Sequence, residues 1–136
     1  MATKKRTTAA PAKRRAAAPK KPALPKLAKG EIYVGVTLHD DRLHHLILLP
    51  GSTKAGWKTA GDWARAQGGV LPSRHDGLVL FKHARAHFER DWYWLDEQRA
   101  DFPSGAWSQY FGWGGQYGYD LSFECRARAV RRVAIR

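Results

Sequence analysis

Cysteine is almost missing from this chain. Cys125 is the sole thiol among 136 residues, which excludes an intrachain disulfide and any metal site built on several cysteines. Long apolar runs are missing too. Nothing approaches the roughly 20 apolar residues of a transmembrane helix. The basic N-terminus is followed only by Ala16, Ala17 and Ala18, too short and weakly apolar a stretch for a signal peptide. The expectation is a chain made in the cytoplasm, with no signal peptide and no membrane span. Acidic residues are absent from residues 1–29, which carry ten lysines and arginines. Ten of the twelve net positive charges therefore sit in that stretch, and residues 30–136 are close to neutral at +2. The high isoelectric point describes the tail and says little about what the rest of the chain binds.

Residues 1–29 also lack bulky apolar groups apart from Leu24 and Leu27. A segment of Lys, Arg, Ala, Pro and Thr buries too little apolar surface to offset its ordering entropy. A disordered basic tail is expected there, followed by one folded domain over residues 30–136. Lys4, Lys5, Arg6, Lys13, Arg14, Arg15, Lys20 and Lys21 are candidates for sequence-blind contacts with nucleic-acid phosphates. The alternative is a solvated tether or a segment that docks on another protein.

In the body, Ile32, Val34 and Val36 alternate as in a strand, and residues 45–49 give a second strand across an acidic-basic turn, a hairpin pattern. Helical spacing over residues 59–67 ends at Gly68-Gly69. Ser73 is placed to cap a second helix reaching about Phe88, with Leu78, Phe81, Ala84, Arg85 and Phe88 along one face. Residues 92–95 read as a strand, the next 30 residues as long loops with short strands, and residues 127–135 as a last strand. This order predicts an α+β domain with two helices, a small mixed or antiparallel sheet and long loops, its two ends paired in one sheet. The alternating RARAVRRV stretch predicts buried Ala127 and Ala129, with Arg126, Arg128 and Arg132 on a charged outer face that discourages edge pairing.

Residues 105–125 hold seven aromatic side chains and five glycines in 21 positions. Tyr and Trp give large contact area with few rotatable bonds, and Gly and Ser let loops adapt, which is the mixture of a binding surface. Trp94, Trp107 and Phe111 are assigned to the core, and the rest to that surface. Catalytic and metal patterns are weak. His83 and His87 are four apart without the HExxH arrangement, and Asp91, Asp96, Glu97 and Asp101 cluster too loosely for a carboxylate pair. The expectation is a binding protein without cofactor or metal, not an enzyme, whose partner is a protein or cell-surface ligand.

Several strings occur in one order: Trp63-Ala64, GGVLPSR at residues 68–74, Trp92-Tyr93-Trp94, Ala106-Trp107 with Phe111, and RARAVRR at residues 126–132. In this ordered set, over about residues 30–133, the chain resembles the C-terminal domain family of collagen-like bacterial adhesins (the Lcl C-terminal family). The resemblance implies a C-type-lectin-like fold and a phage or prophage context. It also implies a variable protein of a diversity-generating retroelement, in which the segment between the YW strand and the RAVRR end is displayed. By that pattern the ligand face would include Asp96, Gln98, Asp101, Ser108, Tyr110, Trp113, Tyr117, Tyr119, Phe123 and Cys125, and association with a virion and an oligomeric state are both open to such a protein. The calcium-dependent sugar motifs of animal lectins are missing here, and so is the cysteine pair of formylglycine-generating enzymes, which resemble this fold class.

Overall fold

A computed structural model describes residues 23–136. The tail candidates Lys4 to Lys21 lie outside the described residues. Residues 23–29, expected as part of the tail, lie against the body. The Lys26 carbonyl accepts a hydrogen bond from Arg131 at 2.9 Å, and the Ala28 N–H donates to Glu31 at 2.8 Å.

Strands β1 (Ile32–His39) and β2 (Arg42–Leu48) form the expected hairpin. Asp40 and Asp41 make its two-residue turn with φ of 51° and 59°, left-handed values that suit the right-handed twist of the strands and that Asp tolerates. A short β3 (Thr53–Ala55) leads into α1 (Trp57–Ala66), which buries Ala60 and Ala64. The N–H groups of Gly68 and Gly69 bond back to the Arg65 and Ala64 carbonyls and close the helix. Gly69 also leaves room for Val130 to approach, since a Cβ there would collide with the Val130 carbonyl. Val70 and Val130 consequently exchange two backbone hydrogen bonds of 2.9 Å.

Helix α2 (Arg74–Ala84) starts at the expected cap. Ser73 Oγ accepts from the Asp76 N–H, and the Asp76 carboxylate accepts from the Ser73 N–H, both at 3.0 Å. It stops earlier than Phe88, giving way to a 3-10 turn at Arg85–His87. Its inward face is the expected one in part: Ala84 is buried and Phe81 and Phe88 pack against the core, but Asp76, Gly77 and Leu80 are buried as well, whereas Leu78 and Arg85 are exposed. Gly77 carries no apolar side chain to mark that face, and Asp76 is charged.

The stretch read as long loops is mostly sheet. Strands β4 (Trp92–Arg99), β5 (Phe102–Tyr110) and β6 (Gln116–Asp120) form an antiparallel meander. The last stretch splits into β7 (Cys125–Ala127) and β8 (Val130–Ala134). The domain is α+β with two sheets. One has the order β1-β2-β8, so the two ends of the fold do share a sheet; the other is mixed, in the order β3-β7-β4-β5-β6, with β4 and β7 parallel. Alternate residues of β2 serve two cores. Ile47 packs with Ala60, Ala64, Leu71 and Trp94, while Leu46 and Leu48 pack with Leu80, Tyr93 and Phe111.

Ala127 and Ala129 are fully buried, as the alternation predicts. The arginines of this stretch are not a free outer face. Arg126 pairs with Asp91 at 2.8 Å, Arg131 with Glu31 at 2.8 Å and Arg132 with Asp76 at 2.6 Å. Arg128 donates to the carbonyls of His87 and Leu49, both at 2.8 Å. These side chains tie the end of the chain to four other segments.

Candidate functional site

In an antiparallel meander, directly paired residues share a face. Trp92 pairs with Tyr110, Ser108 with Tyr117, and Ala106 with Tyr119. One face of the meander therefore carries Trp92, Tyr110, Tyr117 and Tyr119, spaced by the small side chains of Ala106 and Ser108. The β5–β6 turn brings Trp113 onto the same group. Its indole lies against Gly115, where any Cβ would overlap the ring, and Gly112 offers the Tyr110 ring the same clearance. Residues 111–115 need glycine for close approach here, which accounts for the Gly-rich composition.

Trp92 is the hub. Its ring centroid lies 5.2 Å from that of Tyr110, 5.1 Å from Tyr119, 5.7 Å from Tyr117 and 6.4 Å from Trp113. Tyr110 and Tyr117 each approach Trp113, at 5.6 and 5.9 Å, and Phe123 stacks on Tyr119 at 4.8 Å. Six rings form one contiguous surface. Trp113, Tyr117 and Phe123 remain 58%, 53% and 50% exposed despite their neighbours. An open cleft of about 410 Å³ is lined by Trp92, Trp113, Tyr117, Gly118 and Tyr119. Lone exposed apolar residues are ordinary, whereas a contiguous aromatic patch is a candidate interaction surface.

The expected ligand residues divide. Tyr110, Trp113, Tyr117, Tyr119 and Phe123 come together on this face. Ser108 and Cys125 do not belong to it as contacts, because both are buried, at 0% and 2% exposure. Ser108 lies under the rings with its hydroxyl donating to the Tyr117 carbonyl, and Cys125 is core on β7. Asp96, Gln98 and Asp101 are exposed but do not line the aromatic cleft. Asp101 is paired with Arg99 at 2.7 Å and Gln98 donates to the Pro103 carbonyl at 3.0 Å. Asp96 lines a separate cleft of about 210 Å³ with Trp57, Lys58, Gly61, Arg65 and Leu71.

Sequence reasoning missed Trp92, which reads as an ordinary strand residue until the β4–β5 register places it opposite Tyr110. It also assigned Trp107 to the core together with Trp94 and Phe111. Trp94 and Phe111 are buried, but Trp107 is only partly so. Trp107 alternates to the other face of β5, where the Arg74 guanidinium lies 3.7 Å from its ring centroid and that of Arg99 at 5.1 Å. Beside it a buried amide chain was equally unforeseen: Gln109 donates to the Gly77 carbonyl at 2.7 Å and accepts from Gln116 at 2.7 Å.

Burial pushes the Cys125 thiol up to about 12, with the Asp91 charge adding to it. At pH 8 the folded protein is expected to resist a thiol-specific disulfide reagent until denaturant is added. Rapid labelling of the native chain would place Cys125 at the surface after all. No group of three His, Cys, Asp or Glu among the described residues is placed to hold a metal ion. No helix among them is long and apolar enough to cross a membrane. Comparison with protein-family models, with curated proteins and with solved structures returns no match to this chain.

Proposed function

We propose that this protein is a ligand-recognition module that binds through the aromatic face around Trp92. The observation that carries this reading is the continuity of six rings of which three stay about half exposed in the folded chain. Aromatic groups of this kind supply most of the energy in protein recognition surfaces, with neutral contacts around them excluding water. The strand pairing beneath holds the rings in place, so little ordering is left to be done on binding. The finer reading is a C-type-lectin-like receptor-recognition protein of phage or prophage origin, diversified by a retroelement. Its support is the ordered set of strings from Trp63-Ala64 to RARAVRR, together with the concentration of Tyr, Trp and Gly between them.

Two experiments test this reading. The double variant Trp113→Ala/Tyr117→Ala should lose attachment to a panel of bacterial cells and envelope glycans that the parent protein binds. Its thermal midpoint should fall by no more than about 15 °C with a cooperative transition kept, since the two side chains make four ring pairs of about 0.5–1 kcal/mol each. Collapse of the fold in that variant would make the rings core. Sequencing the surrounding DNA tests the retroelement: a near-identical copy of codons 94–132, differing mainly at adenines, is expected beside a reverse-transcriptase gene.

A second reading rests on the ten cations of residues 1–29: attachment to DNA through the tail, with the body as a docking or oligomerisation unit. It requires binding that weakens steeply with salt. Because residues 23–29 contact the body, removal of residues 1–22 is the cleaner deletion.

A further inference from the structure

The second sheet, in the order β3-β7-β4-β5-β6, leaves β6 paired on one side only. The alternation of the β5–β6 ladder is fixed at both of its ends. The Tyr110 N–H donates to the Gly115 carbonyl and the Leu121 N–H to the Ser104 carbonyl, both at 2.9 Å. Two-residue steps through the register then turn the main-chain groups of Tyr117 and Tyr119 toward β5, and those of Gln116, Gly118 and Asp120 away from it. The Asp120 carbonyl is taken by the Phe123 N–H at 3.0 Å. Among the described residues, no bond reaches the outward N–H and C=O groups of Gln116 and Gly118. Edge strands are commonly blunted by lysine, proline or a bulge. β6 reads QYGYD in unbroken register and has none of these.

We infer that this edge takes an extended segment of a partner protein as a sixth strand, antiparallel to β6. The inference rests on the aromatic face being the ligand surface, and it names the chemistry of the ligand. Two outward N–H and two outward C=O groups at strand spacing are matched together by the main chain of another strand. The pairing also sets the side-chain pattern. Residues opposite Tyr117 and Tyr119 fall on the ring face, two positions apart, where apolar or aromatic side chains extend the cluster. The residue between them, opposite Gly118, falls on the other face. There Arg99 occupies the space that a Cβ on Gly118 would need, with Nη1 2.8 Å from that position. Arg99 Nε and Nη2 donate to Asp101 at 3.1 and 2.7 Å, whereas Nη1 has no partner among the described residues. An acidic side chain opposite Gly118 would supply one. The segment this edge fits is therefore apolar–acidic–apolar. Of the four sheet edges, β6 is the one that carries rings of the cluster.

The test is selection of a random peptide display library on the full chain, followed by NMR of the labelled protein with the synthetic peptides selected. Enriched peptides should share the apolar–acidic–apolar core. Their binding should slow hydrogen exchange at the Gln116 and Gly118 amides. N-methylation of the acidic residue, opposite Gly118, removes a ladder donor and should weaken binding at least about tenfold. N-methylation of either flanking apolar residue, whose N–H points away from β6, should change binding by less than about twofold. Arg99→Gln should erase the preference for the acidic residue over its amide, about two- to fivefold. A library that yields no binder, N-methylation tolerated at every position, or protection on another edge each overturns the inference. The broader reading is separable. If N-methylation is tolerated throughout but Trp113→Ala/Tyr117→Ala abolishes peptide binding, the rings are the ligand surface and only strand addition is wrong. If that variant binds the peptides and attaches to the cell and glycan panel like the parent, the aromatic face itself is not the ligand surface.

Discussion

Replacing Asp76 by alanine should remove about 3–5 kcal/mol of stability, the largest effect expected from any single charged side chain here. The carboxylate is fully buried and the Arg132 side chain facing it is only 12% exposed. It accepts from Arg132 at 2.6 and 3.0 Å, from the Thr37 hydroxyl at 2.6 Å and from the Ser73 N–H at 3.0 Å. One group thus joins β1, the start of α2 and β8. In Asp76→Ala the arginine is left charged and largely buried with no partner, which costs far more than an exposed pair would. The thermal midpoint should fall by roughly 12 °C or more. A loss below about 1 kcal/mol would mean that water or another acceptor replaces the carboxylate. Replacing both partners with apolar residues, Asp76→Leu with Arg132→Met, should recover much of the loss, because no unpaired charge then remains.

The same site sets an acid dependence. Burial alone would push the Asp76 carboxyl up, but the hydrogen bonds from Arg132, Thr37 and Ser73, with the arginine's charge, outweigh it and hold it below the ordinary aspartate range. A depressed folded value means that the contribution is fully present above the unfolded value of about 4. It is lost as pH falls through the lower folded value. Glu31, lowered by its hydrogen bond to Arg131, acts in the same direction. So does Asp91, where the Arg126 contact outweighs burial. Stability of the parent protein should therefore drop below about pH 4. Asp76→Ala should show a shallower acid limb in urea denaturation at stepped pH. An unchanged slope would remove Asp76 from this account.

Trp94→Ala should cost a similar 3–5 kcal/mol. The indole is fully buried at the centre of the larger core, and its N–H donates to the Ala55 carbonyl at 2.8 Å, tying β4 to β3. Truncation opens a cavity and orphans that carbonyl. Trp94→Phe fills most of the space and should lose only about 1–2 kcal/mol, chiefly the hydrogen bond. Equal losses in the two variants would show that volume is not what this position supplies. The contrast with Trp113 is instructive, because two tryptophans of one meander are expected to separate cleanly: one carries stability, the other recognition.

What was legible in the sequence follows from the range of the interactions. The β1–β2 hairpin and the Ser73 cap are local, decided by residues a few positions apart, and both are present. The inward face of α2 was read only in part, with Phe81, Ala84 and Phe88 right and Leu78 wrong, because Gly77 and Asp76 hide the rest of it from an apolar pattern. Residues 96–125 read as loops because Pro103, Gly105 and Gly118 interrupt the alternation, although all three lie inside strands. The glycines there make room for rings and guanidinium groups, a role visible only in three dimensions. The arginines of the last stretch looked like solvated charge because their partners are 35, 56 and 100 positions away. Aromatic composition picked out the segment that supplies five of the six clustered rings. It could not tell which face of a strand each ring would take, and so it missed Trp92, demoted Trp107 to core and promoted Ser108 and Cys125 to contacts.

The order β1-β2-β8 has a mechanical consequence. Ile32, where the chain enters β1, lies beside Leu48, which in turn pairs with Val130 at the start of β8; Ala134, near the exit, pairs with His44 at the other end of the sheet. The two ends of the chain thus leave the three strands in opposite directions. A pull between them runs along the strands and shears β1 and β8 past β2, so the hydrogen bonds of both ladders bear load together instead of opening one by one. Held at one end and tugged at the other, the domain would resist extension in the sheet that does not carry the ring cluster.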